Sequence, residues 1–214
     1  MISVQGIIVL RFSKSKNYNQ LKSLNIISDQ ALREGIYLND PDKLAQKIKK
    51  LVEEEEGLAN YRPIVDELIN KFDSTDRDTG RVYLTFDESA LIDNGAGHYL
   101  IYGSEWIQCV LGWGAHTTLR NRGVPTVIDV RLPLRKQSFS TRIELARTML
   151  HEWTRARTEN RENEIRDIEF SFVLREPVPA GWIIGHHHPE FVRDPMYQNV
   201  IRRTEAPHCP ACLD

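Results

Sequence analysis

Glu169 is the residue whose type and setting point most directly to chemistry. It stands in Ile168-Glu169-Phe170-Ser171-Phe172-Val173-Leu174, where strand alternation puts Glu169, Ser171 and Val173 on one face and the phenylalanines on the other. A carboxylate among apolar neighbours is costly to bury unless it is paired or lines a cleft, and a carboxylate lining a cleft suits catalysis. A second grouping lies toward the C-terminus, His186-His187-His188 followed by His208-Cys209-Pro210-Ala211-Cys212. Two thiolates two residues apart reach one tetrahedral zinc, with further ligands from His208 or the triplet, so this is half of a zinc signature. The third feature is charge. Between Arg120 and Arg161 ten basic residues stand against four acids. Such a stretch suits phosphate contacts, with Arg155 and Arg157 as candidates for nucleic-acid binding, although a solvated helix face has the same charge pattern.

The elements that must position these residues follow from periodicity. Ile7 to Leu10 form a compact apolar strand. Asp40 and Pro41 start a helix whose inner stripe is Leu44, Ile48, Leu51 and Val52, with Gly57 expected to stop it. A second amphipathic helix carries Val65, Leu68, Ile69 and Phe72. Strands are expected over 81–86, 126–132 and 168–174, and part of 103–122 is helical. Thr141 and Glu144 make a capping-box pattern before a helix whose inner stripe reads Ala146, Met149, Leu150 and Trp153.

After the Glu169 strand comes Arg175-Glu176-Pro177-Val178-Pro179-Ala180-Gly181-Trp182-Ile183-Ile184-Gly185, a proline-bracketed turn into a short apolar strand. Two earlier segments accompany it in order. One is Val9-Leu10-Arg11-Phe12-Ser13 with Asn17 and then Gly35-Ile36, and the other is Gly80-Arg81-Val82-Tyr83-Leu84-Thr85-Phe86-Asp87-Glu88-Ser89-Ala90. Over these segments the chain resembles the ADP-ribosyltransferase-like family, including DarT-type nucleic-acid ADP-ribosyltransferase toxins. The resemblance implies an α+β fold of two small packed antiparallel-rich sheets with peripheral helices, and NAD as substrate.

It also implies roles. Glu169 is the catalytic carboxylate, and Arg11, at the end of the first strand, grips NAD through its rigid fork of donors with Ser13 beside it. Tyr83 stacks on nicotinamide with Thr85 nearby, and Tyr99 or Tyr102 supplies a second aromatic wall. The acceptor is a nucleic acid or a protein, and compact bacterial members of the family serve as toxins or phage-defence effectors, with an antitoxin or inhibitor protein as a further partner. The family requires no metal, so zinc would belong only to the C-terminal cysteines.

Composition bounds these expectations. With 214 residues, 28 basic and 30 acidic side chains and a net charge of −2, the chain is long enough for one buried core and has no global surplus of positive charge. One catalytic domain over 1–190 and an extension over 191–214 are expected. The three cysteines are too few and odd for a disulfide framework. No signal peptide or roughly 20-residue apolar span is present, so a cytoplasmic protein without membrane partners is expected. Two rival classes remain. A zinc hydrolase lacks the helical His-Glu-x-x-His pair, and a non-catalytic binding protein would keep the fold without the chemistry.

Overall fold

The computed structural model describes residues 8–9, 33–73, 79–93, 95–122, 124–161 and 164–204. Strand β1 (Ile8–Val9) is followed by helix α1 (Pro41–Glu54), helix α2 (Val65–Asp73) and strand β2 (Val82–Thr85). Four helices come next: α3 (Ser89–Ile92), α4 (Gly97–Tyr102), α5 (Glu105–Leu111) and α6 (His116–Arg122). Strand β3 (Val127–Val130) leads to the long helix α7 (Phe139–Thr158), and the chain continues through β4 (Ser171–Leu174), β5 (Ile183–His187), β6 (Phe191–Asp194) and β7 (Val200–Arg203).

Local chemistry explains these elements. Asp40 caps α1 by accepting from the Lys43 amide at 3.2 Å, and Pro41 occupies the first turn, where its missing N–H costs nothing. The expected stripe Leu44, Ile48, Leu51 and Val52 is buried. The helix ends at Glu54, ahead of Gly57, because Glu55 turns to an extended conformation and a 3₁₀ turn begins at Glu56. Helix α2 matches its expected span. The stretch 103–122 resolves into α5, capped by Ser104, and α6.

The main sheet has strand order β4-β2-β1-β3-β5. Its middle is parallel, β2 and β3 both running with β1, while β4 and β5 join as antiparallel edges. The expected mixture of helix and strand is present, but the sheet is built around a parallel trio, because the helical segments between β1, β2 and β3 act as crossovers. One sheet face packs Val82, Leu84, Ile128, Val130, Phe172 and Leu174 with Val178 and Leu145. A second cluster joins α1, α2, α4, α5 and α6 around Ile48, Val52, Leu58, Trp106 and Leu111, and takes in Val127 and Val192. Each such fully buried aliphatic side chain contributes about 1.5–3 kcal/mol. No helix of the described residues is long and apolar enough to cross a membrane.

The β6–β7 hairpin, beyond the expected domain limit at 190, is tied into the helical cluster. Val192 is buried there, and the fully buried Asp194 carboxylate accepts from the Tyr102 hydroxyl and from Arg202 Nε, both at 2.5 Å, and from the Met196 amide at 3.1 Å. Burial, then the hydrogen bond and charge of Asp194, push the Tyr102 phenol well above its ordinary range. Close approach of backbone completes the joint, since a Cβ on Gly97 would lie 2.0 Å from the Arg193 carbonyl oxygen and 3.2 Å from that of Leu91. Gly97→Ala is therefore expected to destabilise the protein by about 1–3 kcal/mol, the usual cost of overpacking. Urea denaturation checks this, and an unchanged midpoint would show that the hairpin does not sit so close to α4.

Helix α7 departs from the sequence expectation. Its cap is Ser138, whose hydroxyl accepts from the Thr141 amide at 3.1 Å, so Thr141 lies inside the first turn. The buried side is Leu145, Glu152 and Ala156, while Met149, Leu150 and Trp153 point outward. An acid can face inward here because Arg155 grips it in a two-point contact, at 2.8 and 2.7 Å, and the Arg166 amide donates to it at 2.6 Å. Arg155 also bonds Glu159 and the Glu164 carbonyl.

The Arg155 hydrogen bonds first, then that from the Arg166 amide, hold the Glu152 carboxyl down at about 2, against an ordinary 4.5. A depressed carboxyl contributes stability that is complete above its unfolded value and is lost as pH falls through its folded value. Acid titration is expected to loosen the junction of α7 with residues 164–166 between pH 4.5 and about 2. Hydrogen exchange at the Arg166 amide reads that step, and Glu152→Gln should remove its pH dependence.

Candidate functional site

Because β1, β2 and β3 are parallel, their carboxyl ends reach one edge of the sheet, and the antiparallel β4 and β5 begin at that edge. One row of paired residues crosses all five strands: Ser171, Thr85, Val9, Asp129 and Gly185. Phe86 N donates to the Phe170 carbonyl at 2.8 Å and carries the β2–β4 pairing one residue past that row. Glu169 comes next. It therefore precedes β4 by two residues instead of standing within it, and it is exposed.

Phe172 and Leu174 enter the core, and Phe170 packs on Phe172 with ring centroids 5.0 Å apart, whereas Ser171 and Val173 are exposed. Alternation thus puts Glu169 on the open face with Ser171. Tyr83 shares that face, half-buried and paired with Val173, and Thr85 is buried beside Ser171. The Thr85 hydroxyl donates to the Asp87 carbonyl at 3.1 Å, and Asp87 Oδ1 accepts from the Ser89 amide at 2.9 Å, which turns the chain from β2 into α3.

Of the residues singled out in the sequence, Tyr83, Thr85 and Glu169 share one face of the neighbouring strands β2 and β4, with Glu169 two residues beyond the Thr85–Ser171 pair and four beyond the Tyr83–Val173 pair. Arg11 and Ser13 lie outside the described residues, as does Asn17, but β1 leads to this edge between β2 and β3. Gly35 and Ile36 meet the proline turn directly: Ile36 N donates to the Val178 carbonyl at 2.8 Å, and Val178 N returns a bond to Ile36 at 2.9 Å. At Gly35, φ is +85° and a Cβ would lie 2.2 Å from the Val178 oxygen, so this bridge requires glycine.

Tyr99 is placed elsewhere. It lies on α4, which packs chiefly on β6, α6 and α3, and its hydroxyl donates to Glu105 at 3.0 Å. Tyr102 is likewise turned to Asp194. Tyr99 or Tyr102 was expected to supply a second aromatic wall, but the segment is helical and their hydroxyls bond Glu105 and Asp194. Arg155 is also corrected as a nucleic-acid contact, since its guanidinium is bound to Glu152 and Glu159 and its side chain is only 13% exposed. Arg157 is exposed and lies over the Trp153 ring at 5.5 Å.

The sequence reading missed a charged cluster on the same sheet face. The β2–α3 connection folds back over β1 and β3, so that Glu88 Oε2 lies 3.1 Å from His187 Nε2, while His187 Nδ1 lies 3.8 Å from Asp129 Oδ2. Both ring nitrogens thus face a carboxylate oxygen, the nearer being that of Glu88. The available signal was Asp129, an acid within the otherwise apolar run Val127-Ile128-Asp129-Val130.

The histidine triplet does not gather around one point, because alternation along β5 sends neighbours to opposite faces. His186 and His188 approach each other edge to face at 5.4 Å, and His188 Nδ1 lies 3.1 Å from both Thr126 Oγ1 and the Pro125 carbonyl. Burial, then the neighbouring histidines, push His186 down to about 4. Among the described residues no group of three histidine, cysteine or acidic side chains is arranged to hold a metal ion, and His208, Cys209 and Cys212 lie outside them.

The described residues define a mixed helix-and-strand protein whose candidate site is the carboxyl end of the parallel strands of a five-stranded sheet, on the face shared by Ser171, Thr85 and Asp129. Comparison with protein-family models, curated proteins and solved structures finds no match to this chain.

Proposed function

We propose that this chain is an NAD-dependent ADP-ribosyltransferase acting on a macromolecule. The observation that carries the reading is the strand order β4-β2-β1, which makes neighbours of three segments far apart in sequence. Those are the segments whose residues would have to meet around NAD: the end of β1, the Tyr83 and Thr85 strand, and the approach to β4 with Glu169. The bridge between Ile36 and Val178 adds a third contact between segments that carry the resemblance.

In this reading the bond between ribose and nicotinamide breaks with both electrons passing to nicotinamide. The acceptor's nucleophile then bonds to the same ribose carbon and gives up its proton. The Glu169 carboxylate stabilises the oxocarbenium-like state and hydrogen-bonds the ribose. Tyr83 offers an aromatic face to the nicotinamide, and Arg11 grips the remainder of NAD, which lowers the barrier by orientation. In the Glu88–His187–Asp129 cluster, Asp129 and His187 stand about three and four strand spacings, roughly 14 and 19 Å, from β4. Glu88 reaches His187 from the β2–α3 connection and so ties that arm to β5.

The test is incubation with NAD labelled in its adenylate part together with mixed nucleic acid and protein. The wild type is expected to transfer label and Glu169→Ala to lose the transfer. Transfer indifferent to that substitution would sink the assignment, and nicotinamide release without transfer would indicate NAD hydrolysis instead. A role as toxin or phage-defence effector, the biological setting that goes with this reading, predicts toxicity on expression that Glu169→Ala relieves.

A further inference from the structure

The outward side of α7 carries an apolar stripe that is exposed at most of its positions. Phe139, Ile143, Ala146, Leu150 and Trp153 recur at alternating spacings of four and three residues. That is the a/d pattern of a helix seam, here about 21 Å long. The stripe faces away from the buried Leu145, Glu152 and Ala156. Phe139 is 72% exposed, Leu150 60% and Trp153 53%, with Met149 alongside at 46%. Four large apolar side chains so exposed on one helix exceed the scattered hydrophobics of an ordinary surface.

Charge identifies what fits there. Helix α7 carries Arg142, Arg147, Arg155 and Arg157 against Glu144 and Glu152, with Arg155 bound to Glu152 and to Glu159, and Arg161 beyond the helix bound to Glu164. Arg142 lies over the Phe139 ring at 5.8 Å and Arg157 over Trp153 at 5.5 Å, so cations border the stripe near both ends. We propose that this face is a docking surface for an acidic amphipathic helix of a partner protein, whose apolar seam covers Leu150 and Trp153 while its flanking carboxylates meet the arginines.

A second copy of the chain would set one basic face against another, and like charges across a seam repel. The segment 10–32 of this chain has the same sign, with Arg11, Lys14, Lys16 and Lys22 against Asp29. Single-stranded nucleic acid matches the charge but not the aliphatic centre of the stripe, and it would have to displace the arginines from the rings on which bases stack.

The probe is a fluorescent synthetic helix of about three heptads with leucine at a and d and glutamate at e and g, titrated with the full chain and followed by anisotropy. A peptide of the same composition in scrambled order and a single-stranded oligonucleotide form the other arms. The ordered peptide is expected to bind, to weaken at least about tenfold with Leu150→Glu or Trp153→Glu, and to weaken with rising salt. Exposure of both side chains keeps the variants folded, which circular dichroism confirms.

No binding, equal binding of the scrambled peptide, or indifference to both substitutions would overturn the proposal. So would preferential binding of the oligonucleotide lost through the same substitutions, or self-association of the chain abolished by Leu150→Glu. The measurement contains no NAD, so its failure is separate from failure of the transferase reading.

Discussion

Glu169→Gln is expected to lower ADP-ribose transfer from NAD by about two to three orders of magnitude, the usual loss on removing one group that stabilises transition-state charge. Glutamine keeps the size and polarity of the side chain and removes only its charge. Glu169 is exposed and lies outside both apolar clusters, so stability should stay within about 0.5 kcal/mol of wild type. Steady-state kinetics discriminate between roles. An interaction made only in the transition state lowers kcat and kcat/KM together, whereas a group that merely binds NAD raises KM and leaves kcat. A variant with full kcat would remove Glu169 from the chemistry, even if its KM rose.

Asp194→Ala is expected to be the most damaging single truncation for stability, at about 3–5 kcal/mol, the range found when one member of a buried ion pair is deleted. Asp194 is fully buried, and its loss strands three donors at once: the Tyr102 hydroxyl, Arg202 Nε and the Met196 amide. Arg202 can recover part of the loss, because its side chain is 23% exposed and its guanidinium lies 5.4 Å from the Tyr197 ring centroid. For a chain of this size each kcal/mol lowers Tm by about 2–4 °C, so thermal unfolding gives a clear readout. A double-mutant cycle with Tyr102→Phe should show coupling of at least about 0.5 kcal/mol, as for groups sharing one network. Additive effects would mean that the tyrosine and the hairpin are held independently.

The two expected results bear on different layers of the molecule, and the sequence was unequally informative about them. The Glu169 region was legible because alternation and proline punctuation are local. The strand at 171–174, the turn at 177–179 and the strand from 183 all follow from neighbours in the chain. The Asp194 network was not legible. It joins Tyr102 to a hairpin 92 residues later, and a lone acid in Phe191-Val192-Arg193-Asp194 looks no different from a solvated one. The Glu88–His187–Asp129 cluster escaped for the same reason, since its members come from a loop and two strands. In α7 the reading reversed the faces. Composition ranks Glu152 as outward and Leu150 as inward, and only the bonds from Arg155 and Arg166 make the opposite arrangement favourable.

By itself the sequence determined that helices α1, α2 and α7 and strands β2 to β5 form, because caps, prolines and periodic apolar residues act within a few positions of each other, while α7 and β4 start at other residues than expected. It also placed Glu169, Tyr83 and Thr85 in strands or at their margins. The tertiary structure decided that these strands are neighbours, that the middle of the sheet is parallel, and that Tyr99, Tyr102 and Arg155 bond Glu105, Asp194 and Glu152. It also turned the apolar stripe of α7 outward. The physical reason is that burial and charge pairing depend on partners distant in sequence, and a residue's type states what it can bond to but not which partner it meets.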